Sequence, residues 1–268
     1  MNDANHDTTE APAAEAGHRP VALVTGVGRA AGLGAAVARS LAAAGWDLAL
    51  AYWGPYDDRM PWGRQPDDAD GLASELEVTG ARVVLLEADL ADASVPSRLL
   101  DSASAELGHV SALVMSHCES VDSGIMDTGV EAFERHFAVN TRASWLLVRE
   151  FAARFPSALH GSGRILALTS DHTVGNMPYG ASKGAMDRIV LAAARELSRQ
   201  GITANVLNPG PVDTGWMTPE VRAALTERQP GGRLGTPADV AAVVAFLLSG
   251  PGGWINGQLV KADGGFSA

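Results

Sequence analysis

Short runs that are apolar at every position alternate with longer stretches whose apolar residues recur every three or four positions, from Val21 almost to the end of the chain. A continuous apolar run of four to eight residues reads as a strand buried on both faces, and the longer period as a helix with one buried side. On this pattern Val21 to Val24 is the first strand, and Val37, Leu41 and Ala44 mark one side of a helix that Gly45 stops. Asp47 to Tyr52, Ala81 to Glu87, Ser111 to Met115, Arg164 to Leu168, Thr203 to Leu207 and Gln258 to Lys261 continue the strand series. Helices are expected over Pro96 to Leu107, over Glu131 to Arg154 as one long helix, and along Met186, Ile189, Val190, Ala193 and Leu197. A further helix runs from Pro237 to Leu248 behind an N-cap at Thr236, with Asp239 three residues on. This alternation predicts an α/β fold: one doubly wound parallel sheet of about seven strands with helices on both faces, spanning residues 20 to 268 without repeats or a second domain.

Three stretches depart from the alternation. Gly54 to Asp70 is rich in Pro, Gly, Asp and Trp and too long for an ordinary connection. In the long helix, Phe133, Phe137, Asn140, Ser144, Leu147 and Phe151 follow one another at helical spacing, so Asn140 falls on the buried stripe, where an amide needs hydrogen-bond partners. Residues 1 to 19 lack the apolar core of a signal peptide and read as a disordered tail.

Composition narrows the function classes. With 46% apolar residues and 30 glycines, the chain suits a compact fold with many tight turns. A net charge of −11 argues against nucleic-acid and anionic-membrane partners, which need basic patches. One cysteine, Cys118, rules out an internal disulfide framework, His117 has no second ligand at metal spacing, and no apolar run is long enough to cross a bilayer. The cytoplasm is the expected compartment.

The chemistry concentrates at Tyr179-Gly180-Ala181-Ser182-Lys183, which sets a phenol and an amine one helical turn apart at the start of a helix. With three Tyr and two Lys in the chain, about 0.02 such pairs are expected by chance. An ammonium beside a phenol favours the phenolate and brings its pKa toward working pH, suiting it to proton transfer. The glycine-rich turn Thr25 to Gly34, between the first strand and first helix, lets backbone N–H groups approach a pyrophosphate. The second strand ends in Tyr52-Trp53 without a carboxylate for a ribose 2′-hydroxyl, and Arg29 in the turn is placed to meet a 2′-phosphate, which points to NADP(H) over NAD(H). Arg59, Trp62 and Arg64 either cover the adenosine end or belong to a surface flap, and Asp89 either accepts from the adenine amine or caps a helix.

Taken together, the glycine turn, Asp89, Asn140, Ser170, Tyr179 with Lys183, Pro209-Gly210 with Thr214, and the closing run Gly232 to Gly265 resemble the short-chain dehydrogenase/reductase family, with a Rossmann-type fold, over roughly residues 20 to 267. The pattern is nearest that of 3-oxoacyl-acyl-carrier-protein reductases. The resemblance implies Tyr179 as catalytic acid/base, Lys183 as the residue that lowers its pKa and holds the nicotinamide ribose, Ser170 as the hydroxyl that orients a carbonyl, and Asn140 as holder of a proton-relay water. It implies a cofactor site at Gly26, Arg29, Gly32, Leu33 and Gly34, at Asp89 and Leu90, at Ser116, and at Pro209, Gly210, Val212 and Thr214 beside the nicotinamide. The substrate it implies is a small-molecule carbonyl or alcohol, and the assembly a homo-oligomer, tetramer or dimer, to which Trp145, Phe151 and Trp254-Ile255 add apolar surface.

Three features differ from the family pattern: five residues separate Gly26 from Gly32, two more than usual and as in the divergent enoyl reductases; Met115-Ser116-His117-Cys118 replaces Asn-Asn-Ala-Gly; and Ser170 lies only nine positions before Tyr179. That short connection is expected to keep Ser170 and Tyr179 in register and to leave Asp171, His172, Asn176 and Met177 as a reduced rim. Two alternatives stay open: a member of the fold with non-redox chemistry, and a binding or scaffold protein without turnover.

Overall fold

The computed structural model describes residues 19–268. The tail expected over residues 1 to 19 lies, Arg19 apart, outside the described residues. Arg19 turns its guanidinium onto the carbonyls of Ala42 and Trp46 and onto Asp47.

Seven parallel strands form one sheet, as the sequence pattern predicts: β1 (Val21–Thr25), β2 (Asp47–Tyr52), β3 (Val83–Glu87), β4 (Val110–Met115), β5 (Gly163–Leu168), β6 (Ile202–Asn208) and β7 (Leu259–Lys261). They lie in the order β3-β2-β1-β4-β5-β6-β7. Successive side chains of a strand point to opposite faces. Thus Val21 and Leu23 enter one apolar layer and Ala22 and Val24 the other. The first layer is closed by α4 (Val95–Leu107), α6 (Ala143–Arg154) and α7 (Met177–Glu196), the second by α1 (Leu33–Ala43), α3 (Asp68–Glu77) and α9 (Pro237–Leu248). Thr236 and Asp239 form the capping box expected at the start of α9.

The long helix expected from Glu131 to Arg154 is three pieces: α5 (Val130–His136), a π-helical turn (Phe137–Arg142), and α6. A π turn bonds each residue to the fifth, not the fourth, and so rotates the helix before it relative to the helix after it. Asn140, Ser144, Leu147 and Phe151 are buried, while Phe133 is 37% exposed and stacks on Phe137 with ring centroids 4.6 Å apart. The Gly54 to Asp70 stretch is not one loop, for it holds α2 (Gly54–Asp58) and the first residues of α3. A ten-residue helix, α8 (Pro219–Arg228), follows β6 and buries none of its residues, so no apolar stripe announced it.

Candidate functional site

Open parallel sheets bind ligands beyond the carboxyl ends of their strands, where the strand order reverses. Here that crevice opens between β1 and β4, with β2 on the far side of β1 and β5 on the far side of β4. Thr25 and Met115 end their strands side by side. Gly26 follows with φ +78°, and a Cβ on it would stand 2.7 Å from the backbone of Ser116 and His117. A Cβ on Gly34 would stand 2.4 Å from the Gly26 carbonyl oxygen. Both glycines let the turn lie flat against α1 and the chain after β4. Gly32 is the N-cap of α1 and Leu33 its first residue, so the positive end of that helix faces the crevice.

His117 fixes the second bank. Its Nε2 lies 3.1 Å from the Val139 carbonyl, which only accepts, so Nε2 carries the proton and Nδ1 accepts from Thr25 Oγ1 at 2.7 Å. Burial, with Lys183 adding to it, lowers the imidazole pKa to about 3, and the ring is neutral. Thr25 Oγ1 in turn accepts the Ser116 N–H at 3.2 Å.

Tyr179 and Lys183 sit on the first two turns of α7. Lys183 is buried and donates from Nζ to the carbonyls of Leu168 at 2.9 Å and His117 at 3.3 Å, with Nζ 5.9 Å from the centre of the Tyr179 ring. Burial raises the pKa of the phenol, Cys118 adds to the rise, and the nearby Ser170 side chain opposes it. Lys183 is not among the groups that shift the Tyr179 pKa in this arrangement, where its Nζ is held by the carbonyls of Leu168 and His117. Burial also lowers the Lys183 pKa. Ser170 lies near enough to Tyr179 to act on it despite the nine-residue spacing, and its oxygen accepts the His172 N–H at 3.1 Å. Asn176, expected on an open rim, is buried and donates to Ser120 Oγ and Asp122 Oδ1.

The Asn140 amide is fully engaged. Its Oδ1 accepts the Glu119 N–H at 2.7 Å, and its Nδ2 donates to the Glu119 carbonyl and to Ser182 Oγ, each at 2.8 Å. In this arrangement the side chain ties the π turn to the loop after β4 and to α7.

The expected cofactor residues have partners within the chain. Arg29 donates across the crevice to the Thr214 carbonyl at 2.9 Å and lies over the Trp62 indole at 4.6 Å. Arg64 is the arginine at the end of β2: its guanidinium packs where a Gly54 side chain would be, 3.9 Å from Glu87. Asp89 caps the turn after β3 by accepting the Ala91 N–H, and stands 3.7 Å from Arg135, while Leu90 is buried behind it. Pro209 leads to Gly210 at φ +61°, where a Cβ would meet Asp263 at 2.4 Å, and Val212 is buried in a bridge to Gly235.

Of the residues that cross the crevice, Arg59 and Trp62 are among the sequence candidates, while Tyr56, Asp57, Asp68 and Glu119 are not. The Tyr56 phenol donates to the Ser120 carbonyl at 3.3 Å, and Arg59 grips the buried Glu119 carboxylate through two bonds of 3.1 and 3.0 Å. Asp57 is buried, accepts from the Trp62 indole at 2.8 Å, and brings Oδ2 within 2.9 Å of where a Gly28 Cβ would be. Asp68 accepts the Ala30 N–H of the glycine turn at 2.8 Å. The only signal in the sequence was the anomalous length and acidity of Gly54 to Asp70. The donor set itself fits a dinucleotide: a turn with glycines at its close approaches, Gly26, Gly28 and Gly34, leading into a helix N-terminus, with Tyr179 and Lys183 on the opposite bank. Among the described residues no cluster of metal-ligating side chains is present, and no helix is long and apolar enough to cross a membrane.

Residues 26–267 match a family profile described as enoyl-(acyl carrier protein) reductase. The chain is 34% identical over 250 residues to an uncharacterized oxidoreductase of Bacillus subtilis, covering 92% of this chain and 96% of that one. It is 33% identical over 266 residues to an NADPH-dependent aldehyde reductase-like chloroplastic protein of Arabidopsis thaliana, covering 92% and 93%. Among solved structures, a short chain dehydrogenase from Burkholderia cenocepacia in complex with NADP superposes with a TM-score of 0.82 at 30% identity, over 94% of this chain and 99% of that one.

Proposed function

The chain belongs to the short-chain dehydrogenase/reductase family, and from that membership we propose that it reduces a carbonyl group of a small molecule, or runs the reverse oxidation of an alcohol, with NADP(H). The observation that carries this reading is the convergence of Tyr179, Ser170 and Lys183 at the β5–α7 end of a crevice whose other bank is the glycine-rich turn with Gly26, Gly28, Gly32 and Gly34. When bound, the dinucleotide would supply or accept the hydride. Tyr179 gives the proton to the carbonyl oxygen, and Ser170 holds that oxygen with a second hydrogen bond. A phenol whose pKa is pushed up by burial is protonated at neutral pH, which suits the reductive direction. Lys183, once drawn from the His117 and Leu168 carbonyls toward the phenol, stabilises the charge left on it.

NADP(H) is supported by the absence of a carboxylate at Tyr52 and Trp53 and by Arg64 beside them. The names of the Arabidopsis and Burkholderia relatives agree with it. The closing run Gly232 to Gly265 keeps the likeness to 3-oxoacyl reductases, so aldehydes, ketones and 3-oxoacyl thioesters form the substrate class to screen. The single cysteine fits the cytoplasm, and a homo-oligomer fits the exposed apolar residues.

The test is that screen with NADPH and with NADH, followed at the nicotinamide absorbance, together with Tyr179→Phe. The variant is expected to lose about a hundredfold to ten-thousandfold in kcat while binding cofactor nearly as well; near-native turnover would remove Tyr179 from the acid/base role. Arg64→Ala is expected to weaken NADPH by roughly tenfold to a hundredfold and NADH little. The engagement of Lys183 away from the phenol favours a second reading, a cofactor-binding member with non-redox chemistry or none, which tight NADPH binding without turnover across the whole screen would establish.

A further inference from the structure

The segment after β2 reaches its partners by crossing the crevice. It leaves the sheet at Tyr52 on one side of β1, yet Tyr56 and Arg59 bond to Ser120 and Glu119, which come after β4 on the other side of β1. A path from β2 to the end of β4 passes over the carboxyl end of β1 and the glycine turn. The contacts agree with that path, since Asp57 packs on Gly28 and the Trp62 indole lies under Arg29, both in the turn. The crevice above the turn, from Gly28 to the loop after β4, is thus spanned by the chain itself.

The chemistry of the segment matches what it covers. The turn at the N-terminus of α1 is a place for an anion. Two carboxylates stand there, Asp57 against Gly28 and Asp68 on the Ala30 N–H. Burial raises the Asp57 pKa, so its charge is held at a cost in this position. On the far bank the hold is an ion pair: Glu119, 4% exposed, is shared between Arg59 of the segment and Arg135 of α5, so Arg59 can leave without stranding a buried charge. The segment also has room to swing, with Gly63 at φ +66° and nothing within 4 Å of a Cβ placed there.

We propose that Gly54 to Gly63 is an intramolecular competitor for the dinucleotide, filling the crevice in the free protein and vacating it when the cofactor binds. The proposal rests on the cofactor reading given above. Apparent affinity then equals the intrinsic affinity multiplied by the fraction of molecules in which the segment is out. Loosening the segment tightens binding although no cofactor contact is added.

The experiment measures NADPH binding to the full chain by stopped-flow nicotinamide fluorescence and amide hydrogen exchange over 54–63 with and without NADPH. Native protein, Arg59→Ala and Trp62→Ala are compared. The native association rate is expected to saturate with NADPH concentration, and exchange over 54–63 to accelerate on binding. Arg59→Ala is expected to bind about tenfold tighter through faster association, and Trp62→Ala to change in the same direction. An association rate that stays linear in NADPH, exchange that is unchanged or slowed, or variants that bind no tighter would overturn the competitor while leaving the cofactor reading intact. If neither NADPH nor NADH binds to the native protein or to either variant, the cofactor reading fails and the competitor with it.

Discussion

At the scale of single residues, the crevice is held by buried polar side chains whose pairings leave little slack. His117 is kept neutral between Thr25 and the Val139 carbonyl, with its pKa lowered from 6.5 to about 3. In the unfolded chain it titrates near 6.5, so its contribution is complete above that pH and is lost as pH falls toward 3, because only the unfolded state takes up the proton in that window. Between pH 7 and pH 5 the native protein should lose about 2 kcal/mol that a His117→Asn variant does not lose, read from urea midpoints at the two pH values. Asn140 gives a second test. Asn140→Ala strands the Glu119 N–H and carbonyl, and is expected to cost about 2 kcal/mol or more. A loss of turnover without that loss of stability would assign Asn140 to the reaction rather than to the loop.

Strand and helix identities were legible at the scale of elements wherever an apolar run had a period to read. The seven strands keep their predicted centres and differ at their ends by a residue or two, and the Thr236 cap stands where its spacing placed it. Thr236→Ala should lower stability by about 1 kcal/mol, measured by thermal unfolding. The π turn was not legible, because the spacing of Phe133, Phe137, Asn140 and Ser144 is equally that of a regular helix, and the extra residue shows only in the bonding. In α3, Leu72 and Leu76 mark a buried side, but the element is short and its remaining residues mostly polar. For α2 no period exists in five residues, and what places it is the tertiary grip of Arg59 on Glu119, two residues 60 positions apart. The same distinction holds at the site. Tyr179 with Lys183 and the glycine turn stand out by local spacing and Ser170 only by the family resemblance, whereas Asp57, Asp68 and Glu119 act through contacts that no local pattern encodes. The contacts of Arg29 with Trp62 and Thr214 likewise arise only in the fold.

For the whole molecule, the exposed apolar surface is divided. Trp145 lies on α6 at 46% exposure, while Phe246 on α9, Leu259 on β7 and the almost fully exposed Trp254 belong to the opposite part of the chain fold. Exposed apolar side chains at such separate positions are the basis for expecting contact between copies. Light scattering is expected to give a multiple of the 27.7 kDa chain mass, and Trp254→Asp to reduce it; a monomer mass at all concentrations would contradict this. The crossing of the crevice by Tyr56 and Arg59 carries a further consequence for the order of events. A carbonyl compound arriving first meets a crevice still spanned by that segment, whereas a dinucleotide arriving first clears it. Steady-state kinetics should therefore obey a compulsory order with cofactor leading, and progress curves started with enzyme should show a lag that incubation with NADPH abolishes and incubation with the carbonyl compound does not.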